Sequence, residues 1–163
     1  MKRNYRKLRS NISQEFITYL SGILDQSASF YIKKQPINTG QEIFRCILTI
    51  DHRDKKIIDY INKELFDGDS STQIHKNPIS KNATHRITLT GPILDEILPR
   101  LKESMRTKKD HIEVMIKFRE SIIGVKNDSK NKKQLPPDII EYRDELIKKM
   151  EYLNSFPFYN FPK

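Results

Sequence analysis

Apolar positions along this chain change period several times, and each change marks an element. Phe16, Ile17, Leu20, Ile23 and Leu24 recur at helical spacing. Asn11 or Ser13 is placed to cap that run and Glu15 suits its first turn, so a helix is predicted from about Ser13 to Gln26. The period then drops to two. Ser29 to Gln35 and Ile43 to Ile50 read as strands, with Pro36, Asn38 and Gly40 as turn material between them. Helical spacing returns with Ile57, Ile58, Ile61 and Leu65, and Asp67-Gly68-Asp69 ends it. Two more strands, about Ser70 to Lys76 and Thr84 to Thr90, flank a polar turn with Pro78 and Asn82. A helix carrying Ile93, Leu94, Ile97, Leu98 and Leu101 follows. The order is helix, strand, strand, helix, strand, strand, helix, which is an α+β class with an antiparallel sheet. Beyond it the pattern predicts a helix over Lys109 to Ile123, a basic loop from Lys126 to Lys133, and a last helix with Ile139, Leu146, Met150 and Leu153. Asp138 and Glu141 are spaced as a capping box for that helix.

Alternation within the strands assigns their faces. Phe30, Ile32, Phe44, Cys46, Leu48, Ile50, Ile74, Ile87 and Leu89 belong on the side that helices must cover. The other side then carries Ser29, Tyr31, Lys33, Gln35, Arg45, Thr49, Ser71, Gln73, His75, Arg86 and Thr88. Such a face is dense in hydrogen-bonding groups, with three fixed cations and few acids, a composition suited to a nucleic-acid groove. A plain solvent-facing sheet is the competing interpretation; four successive strands sharing the bias favour the groove.

The stretch Tyr19 to Phe30, Tyr-Leu-Ser-Gly-Ile-Leu-Asp-Gln-Ser-Ala-Ser-Phe, resembles the signature helix of the LAGLIDADG homing endonucleases. The resemblance runs from Gln14 to Ile122, about two-thirds of the chain, and rests on the motif together with the order of elements. It implies a homing-endonuclease-like αββαββα core, a four-stranded antiparallel saddle sheet and extra C-terminal helices. It further implies that Leu20, Ser21, Gly22 and Leu24 form a partner interface, because small residues let a second copy of the helix approach closely. A single motif is half of a two-fold site, so a homodimer or a protein partner is expected there.

The resemblance also implies chemistry, and here the chain departs from the pattern. Ser27 stands where the family carries its metal-binding acid. Magnesium wants oxygen ligands bearing negative charge, and a hydroxyl supplies none. Asp25 lies two residues back, about 200° around the helix, and is no obvious substitute. Ala28 replaces a glycine and is expected to remove backbone freedom at the turn into the first strand. By the same resemblance Thr49 falls near the scissile phosphate, Arg53 on the rim of the site and Lys108 at an active-site lysine. His111 lies where relatives often carry glutamine. Phosphate-facing cations are kept and the metal ligand is not, the pattern of a protein that binds and does not cut. No cofactor is expected; magnesium enters only under the alternative of a working DNA endonuclease with an acid such as Asp25 or Asp51.

Charge extends this picture. The 163 residues carry a net charge of +9 and a pI near 9.6, which point to a polyanion. Lys2, Arg3, Arg6, Lys7 and Arg9 make residues 1–12 a basic arm able to neutralise phosphates. Residues 13–123 form the expected core domain, and residues 124–163 the basic loop, the C-terminal helix and an aromatic tail. That tail sets Phe156, Phe158, Tyr159 and Phe161 among prolines, to cover the core, dock on a protein or stack on bases. The nucleic-acid-contacting set is therefore the arm with Tyr31, Lys33, Gln35, Arg45, Thr49, Arg53, Gln73, His75, Arg86, Thr88 and Lys108. RNA is favoured over DNA because the arm, loop and tail suit wrapping a large RNA, within an organellar ribosome or as an intron maturase. A mitochondrial or other organellar setting follows from composition alone. The lone Cys46 reads as core, the four histidines are scattered without a zinc pattern, and no apolar run is long enough for a membrane span.

Overall fold

The computed structural model describes residues 7–36, 42–66, 73–76, 83–128 and 135–156, with side chains omitted at 42, 73–76 and 124–128. Ser13, extended at φ −71° and ψ 153°, accepts the Phe16 amide on its hydroxyl and starts α1 (Gln14–Ser27). This helix passes straight into β1 (Ala28–Pro36), with the Ala28 N–H bonded to the Leu24 carbonyl. The expected cost of alanine at that junction is absent. Ala28 sits at φ −83° and ψ 147°, a conformation open to every residue, and its small side chain is buried.

Next come β2 (Glu42–His52), α2 (Lys55–Phe66), β3 (Gln73–Lys76) and β4 (Ala83–Thr90). Gly91 turns the chain at φ 67°, where only glycine is unstrained, and Pro92 opens α3 (Pro92–Ser104). The helices α4 (Lys109–Asp128) and α5 (Pro137–Ser155) complete the chain. α4 runs five residues past the expected Ile123 and takes in the start of the predicted basic loop. The proposed capping box at Asp138 does not form: α5 starts on Pro136 and Pro137, with no side-chain cap. Proline at the first helical position lacks the N–H that a cap would satisfy, and Asp138 instead lies in the first turn, where its charge suits the helix dipole.

The sheet order is β1-β2-β4-β3, antiparallel throughout, which leaves β1 as an edge strand. One face of the sheet packs Phe30, Ile32, Cys46, Leu48, Ile50, Ile87 and Leu89 against helix residues such as Ile17, Leu20, Leu24, Ile61 and Phe118, as the alternation anticipates. α4 lies between α3 and α5, and α5 reaches the edge strand. The boundary of the N-terminal arm needs correcting. Leu8 and Ile12 are buried in this core, and the Ile12 carbonyl accepts a 2.7 Å hydrogen bond from Arg100. Residues 8–12 therefore belong to the folded unit. Residues 1–6, 37–41, 67–72, 77–82, 129–134 and 157–163 lie outside the described residues, and with them Lys2, Arg3, Arg6, Asn38, Gly40, the Asp67-Gly68-Asp69 stop after α2, Ser71, the Pro78 turn and most of the tail.

Arg119 and Asp95 tie α4 to α3 through two parallel contacts of 2.6 and 2.7 Å. The pairing holds the Arg119 guanidinium above its usual pKa, against the opposing effect of burial. Breaking such a pair leaves a poorly solvated guanidinium behind. Asp95→Ala is expected to destabilise the fold by about 3 kcal/mol, the lower end for buried pairs because the carboxylate keeps some water. Urea unfolding checks this through a lower midpoint at unchanged slope.

Candidate nucleic-acid interface

The face of the sheet turned away from the helices is ordered by register. Lys33 lies opposite Arg45 and Gln35 opposite Ile43. Tyr31, Ile47 and Thr90 form the next row across three strands, then Ser29, Thr49 and Thr88, then Asp51 and Arg86 with Gln73 beyond them. Tyr31, Lys33, Gln35 and Arg45 are exposed, as is Arg53 beyond the end of β2. Lys33 extends its ammonium to 5.1 Å from the centre of the Tyr31 ring. Thr88 is half-buried; Thr49 is buried, and its hydroxyl meets no partner among the described residues. Gln73 and His75 are set in the register of β3, the backbone alone being described there.

Three expected phosphate contacts need revising. Arg86 is locked to Asp51 by two contacts of 2.7 and 2.8 Å, so the pair adds no net charge to the face. That hydrogen bonding raises the Arg86 pKa. Lys108 is buried, and its ammonium donates to the Ala28 carbonyl at 2.6 Å. Burial lowers its pKa, and the Asp25 carboxylate opposes that shift. Arg9 is held at the C-terminal end of α2, with its amide on the Leu65 carbonyl at 2.8 Å and its guanidinium 3.6 Å from Glu64. A cation there complements the helix dipole. Of the two described cations of the arm, Lys7 is exposed as expected.

Most of the residues expected at a partner interface are turned inward. Leu20, Ser21 and Leu24 are buried in the chain's own core, and the Ser21 hydroxyl bonds back to the Ile17 carbonyl at 2.8 Å. Helical geometry puts them one face away from solvent; of the four residues only Gly22 is exposed, with open space around its missing Cβ. The outward stripe of α1 is Tyr19, Gly22 and Gln26. Tyr19 and Tyr60 of α2 meet edge to face at 5.5 Å while staying 40% and 44% exposed. Tyr60 stands off the apolar stripe of α2, and that displacement was the available sequence signal.

At the end of α1 the Ser27 hydroxyl donates to the Ile23 carbonyl at 2.9 Å, folded back on its own helix. Asp25 points elsewhere, as its angular offset requires. Its carboxylate accepts the amides of Arg106, Thr107 and Lys108, each at 3.1 Å, and the Thr107 hydroxyl at 2.8 Å. It thereby caps the segment that opens α4. His111, in the first turn of α4, is buried against the Phe30 ring at 5.5 Å, and burial lowers its pKa first, with Lys108 adding to the effect.

These features define a class: a helix-backed antiparallel sheet with one polar open face, whose first helix ends beside the edge strand. The chain has the fold of the LAGLIDADG homing endonucleases. Superposition on I-CvuI bound to a target DNA in the presence of magnesium gives a TM-score of 0.67 at 14% identity, over 91% of this chain and 88% of that one. The archaeal intron-encoded I-Vdi141I in complex with DNA also gives 0.67, at 12% identity, over 91% of each chain. I-LtrWI, a LAGLIDADG enzyme bound to its target, gives 0.61 at 17% identity; 90% of this chain covers 50% of that one. Scans with protein-family models and against curated proteins return no match.

The residues at the end of α1 do not fit a magnesium ion. The position offers a neutral hydroxyl already bonded to Ile23, while Asp25 and Asp51 spend their oxygens on amides and on Arg86. Among the described residues no cluster of three His, Cys, Asp or Glu side chains is arranged to hold a metal. Asp25 is thus a structural residue. Asp25→Ala is expected to cost about 2 kcal/mol of stability, by leaving three amides and a hydroxyl without their acceptor. Thermal and urea unfolding should both show it, and protection of the Thr107 and Lys108 amides from hydrogen exchange should fall.

Proposed function

We propose that this chain is a nucleic-acid-binding protein with the homing-endonuclease fold that holds its ligand on the open sheet face and does not cut it. The observation that carries this reading is the end of α1, where Ser27 supplies no charge and both nearby acids are committed. Lys33, Arg45 and Arg53 remain exposed for phosphate. DNA complexes of I-CvuI and I-Vdi141I support the choice of a nucleic acid. RNA is favoured over DNA by the basic sequence at 1–7 and 126–133, which suits wrapping a folded RNA. The role proposed for it is that of an organellar ribosome component or an intron maturase.

Purified protein incubated with long duplex DNA and magnesium should leave the DNA intact; site-specific cleavage would overturn the reading and restore the endonuclease. Binding itself is tested by salt. Replacing Lys33 and Arg45 together by Gln should weaken binding and make the slope of log affinity against log salt shallower by about 1.5, the loss of two phosphate contacts. An unchanged slope would remove the sheet face from the interface.

The stripe of Tyr19, Gly22 and Gln26 with Tyr60 is the surface proposed for a second copy of the chain. Its aromatics are half-exposed and the space over Gly22 admits a close approach. Gly22→Lys should convert a dimer into a monomer in sedimentation equilibrium without lowering thermal stability of the subunit. A wild-type protein that is monomeric at all concentrations would assign the surface to a different partner.

A further inference from the structure

The open face is graded along the strands. Lys33 and Arg45 sit at one end as cross-strand neighbours, and neither forms an ion pair among the described residues. At the opposite end Arg86 is paired with Asp51, and the exposed Arg53 follows beyond the end of β2. Between these ends lies an uncharged centre, Tyr31 beside Ile47, with Tyr31 38% exposed. A duplex presents phosphates on both flanks of its groove and asks for charge along both sides of the protein. Among the described residues of the paired strands, this face offers unpaired charge at one end and an aromatic ring inward of it.

We infer that this face binds an unpaired stretch of RNA, with a base stacked on Tyr31 against Ile47 and the adjoining phosphate held by Lys33 and Arg45. The inference rests on the nucleic-acid-binding reading of the sheet and narrows its ligand. The spacing suits one nucleotide: rows on one face of a strand are about 6.7 Å apart, so the ring and the ammonium group lie a base-to-phosphate distance from each other. Lys33 already reaches over the ring at 5.1 Å. On binding, the ammonium moves to the phosphate and the base takes its place on the ring, a stronger stack than an exposed cation contact. The row on the other side of Tyr31 carries the half-buried hydroxyls of Ser29 and Thr88. Hydroxyls that donate and accept beside a stacked nucleotide suit a ribose 2′-OH, which selects RNA over a DNA single strand.

The test compares four probes with the full-length protein: a fluorescein-labelled ten-residue oligouridine, its deoxy counterpart, an RNA duplex and a DNA duplex. Oligouridine should bind most tightly. Tyr31→Ala should weaken it roughly tenfold or more, as expected for losing one base stack, while Tyr31→Phe should stay within about twofold, since the ring rather than the hydroxyl carries the contact. Tyr31 is exposed on an edge strand, and unchanged thermal midpoints would show that both variants fold. If Tyr31→Ala proves unstable, quenching of 2-aminopurine placed within the oligomer reports stacking in the wild type directly. Wild-type binding to duplex alone, an unaffected Tyr31→Ala, or unquenched 2-aminopurine would overturn this inference and leave the broader reading standing. Equal affinity for the deoxy oligomer would overturn the choice of RNA, and absence of binding to all four probes would overturn both.

Discussion

The open edge of β1 is the constraint that organises this molecule. An edge strand presents carbonyls that need donors, and an unprotected edge invites pairing with other chains. Two side chains stand in for a missing neighbour strand: Lys108 donates to the Ala28 carbonyl at 2.6 Å, and Asn154 to the Phe30 carbonyl at 2.9 Å. They come from opposite ends of the C-terminal pair, the start of α4 and the end of α5. Asp25 then fixes the segment that delivers Lys108, so the junction of α1 with β1 and the start of α4 form one hydrogen-bonded unit. The direction of β1, and with it the outward placement of Tyr31 and Lys33, follows from that unit.

Net charge is a poor guide to what this surface can hold, because several of its cations are already engaged. Arg86 answers Asp51, Arg119 answers Asp95, Arg9 completes the end of α2, and Lys108 serves the sheet edge. Arg143 is buried too, bonded to the Ser121 carbonyl at 2.8 Å and lying over the rings of Phe44 and Phe118. The cations left exposed are a smaller set, set apart by exposure rather than residue type. The same distinction governs Cys46: burial pushes its thiol up to about 12, which leaves it an inert part of the core.

The order of elements was legible because hydrophobic period is a local property, and local rules place Ser13 as a cap, Gly91 as a turn and Phe30, Leu48 and Ile87 on one face. The site was only partly legible, because commitments between distant residues leave no local trace. Nothing near Arg86 in the chain reveals that Asp51, 35 residues away, lies across a strand from it. Lys108 reads as a surface cation until β1 is seen to need a donor. Alternation in β2 did hold one overlooked signal: Arg45, Ile47, Thr49 and Asp51 must share a face, which puts both an apolar centre and an acid on the open sheet. The four residues expected to share an outward face of α1 do not, for a geometric reason. Small and apolar residues suit a close helix contact and a core equally well, and neighbours on a helix point 100° apart, so Ser21 turned inward while Gly22 faced out.

The end of α1 also explains how the fold tolerates a hydroxyl where similar proteins are expected to keep an acid. A carboxylate in the last turn of a helix faces its exposed carbonyls and is disfavoured by about 0.3–1 kcal/mol. Asp25 already occupies that turn, and three amides and a hydroxyl compensate it. A second acid at position 27 would have no such set of donors, since the nearby Lys108 ammonium is directed at the Ala28 carbonyl. Ser27 removes this repulsion and satisfies itself on the Ile23 carbonyl. A metal-binding acid at that position is a local liability, tolerable where cleavage requires it. Under the proposed reading, in which binding alone is required, serine is the more stable choice at this position.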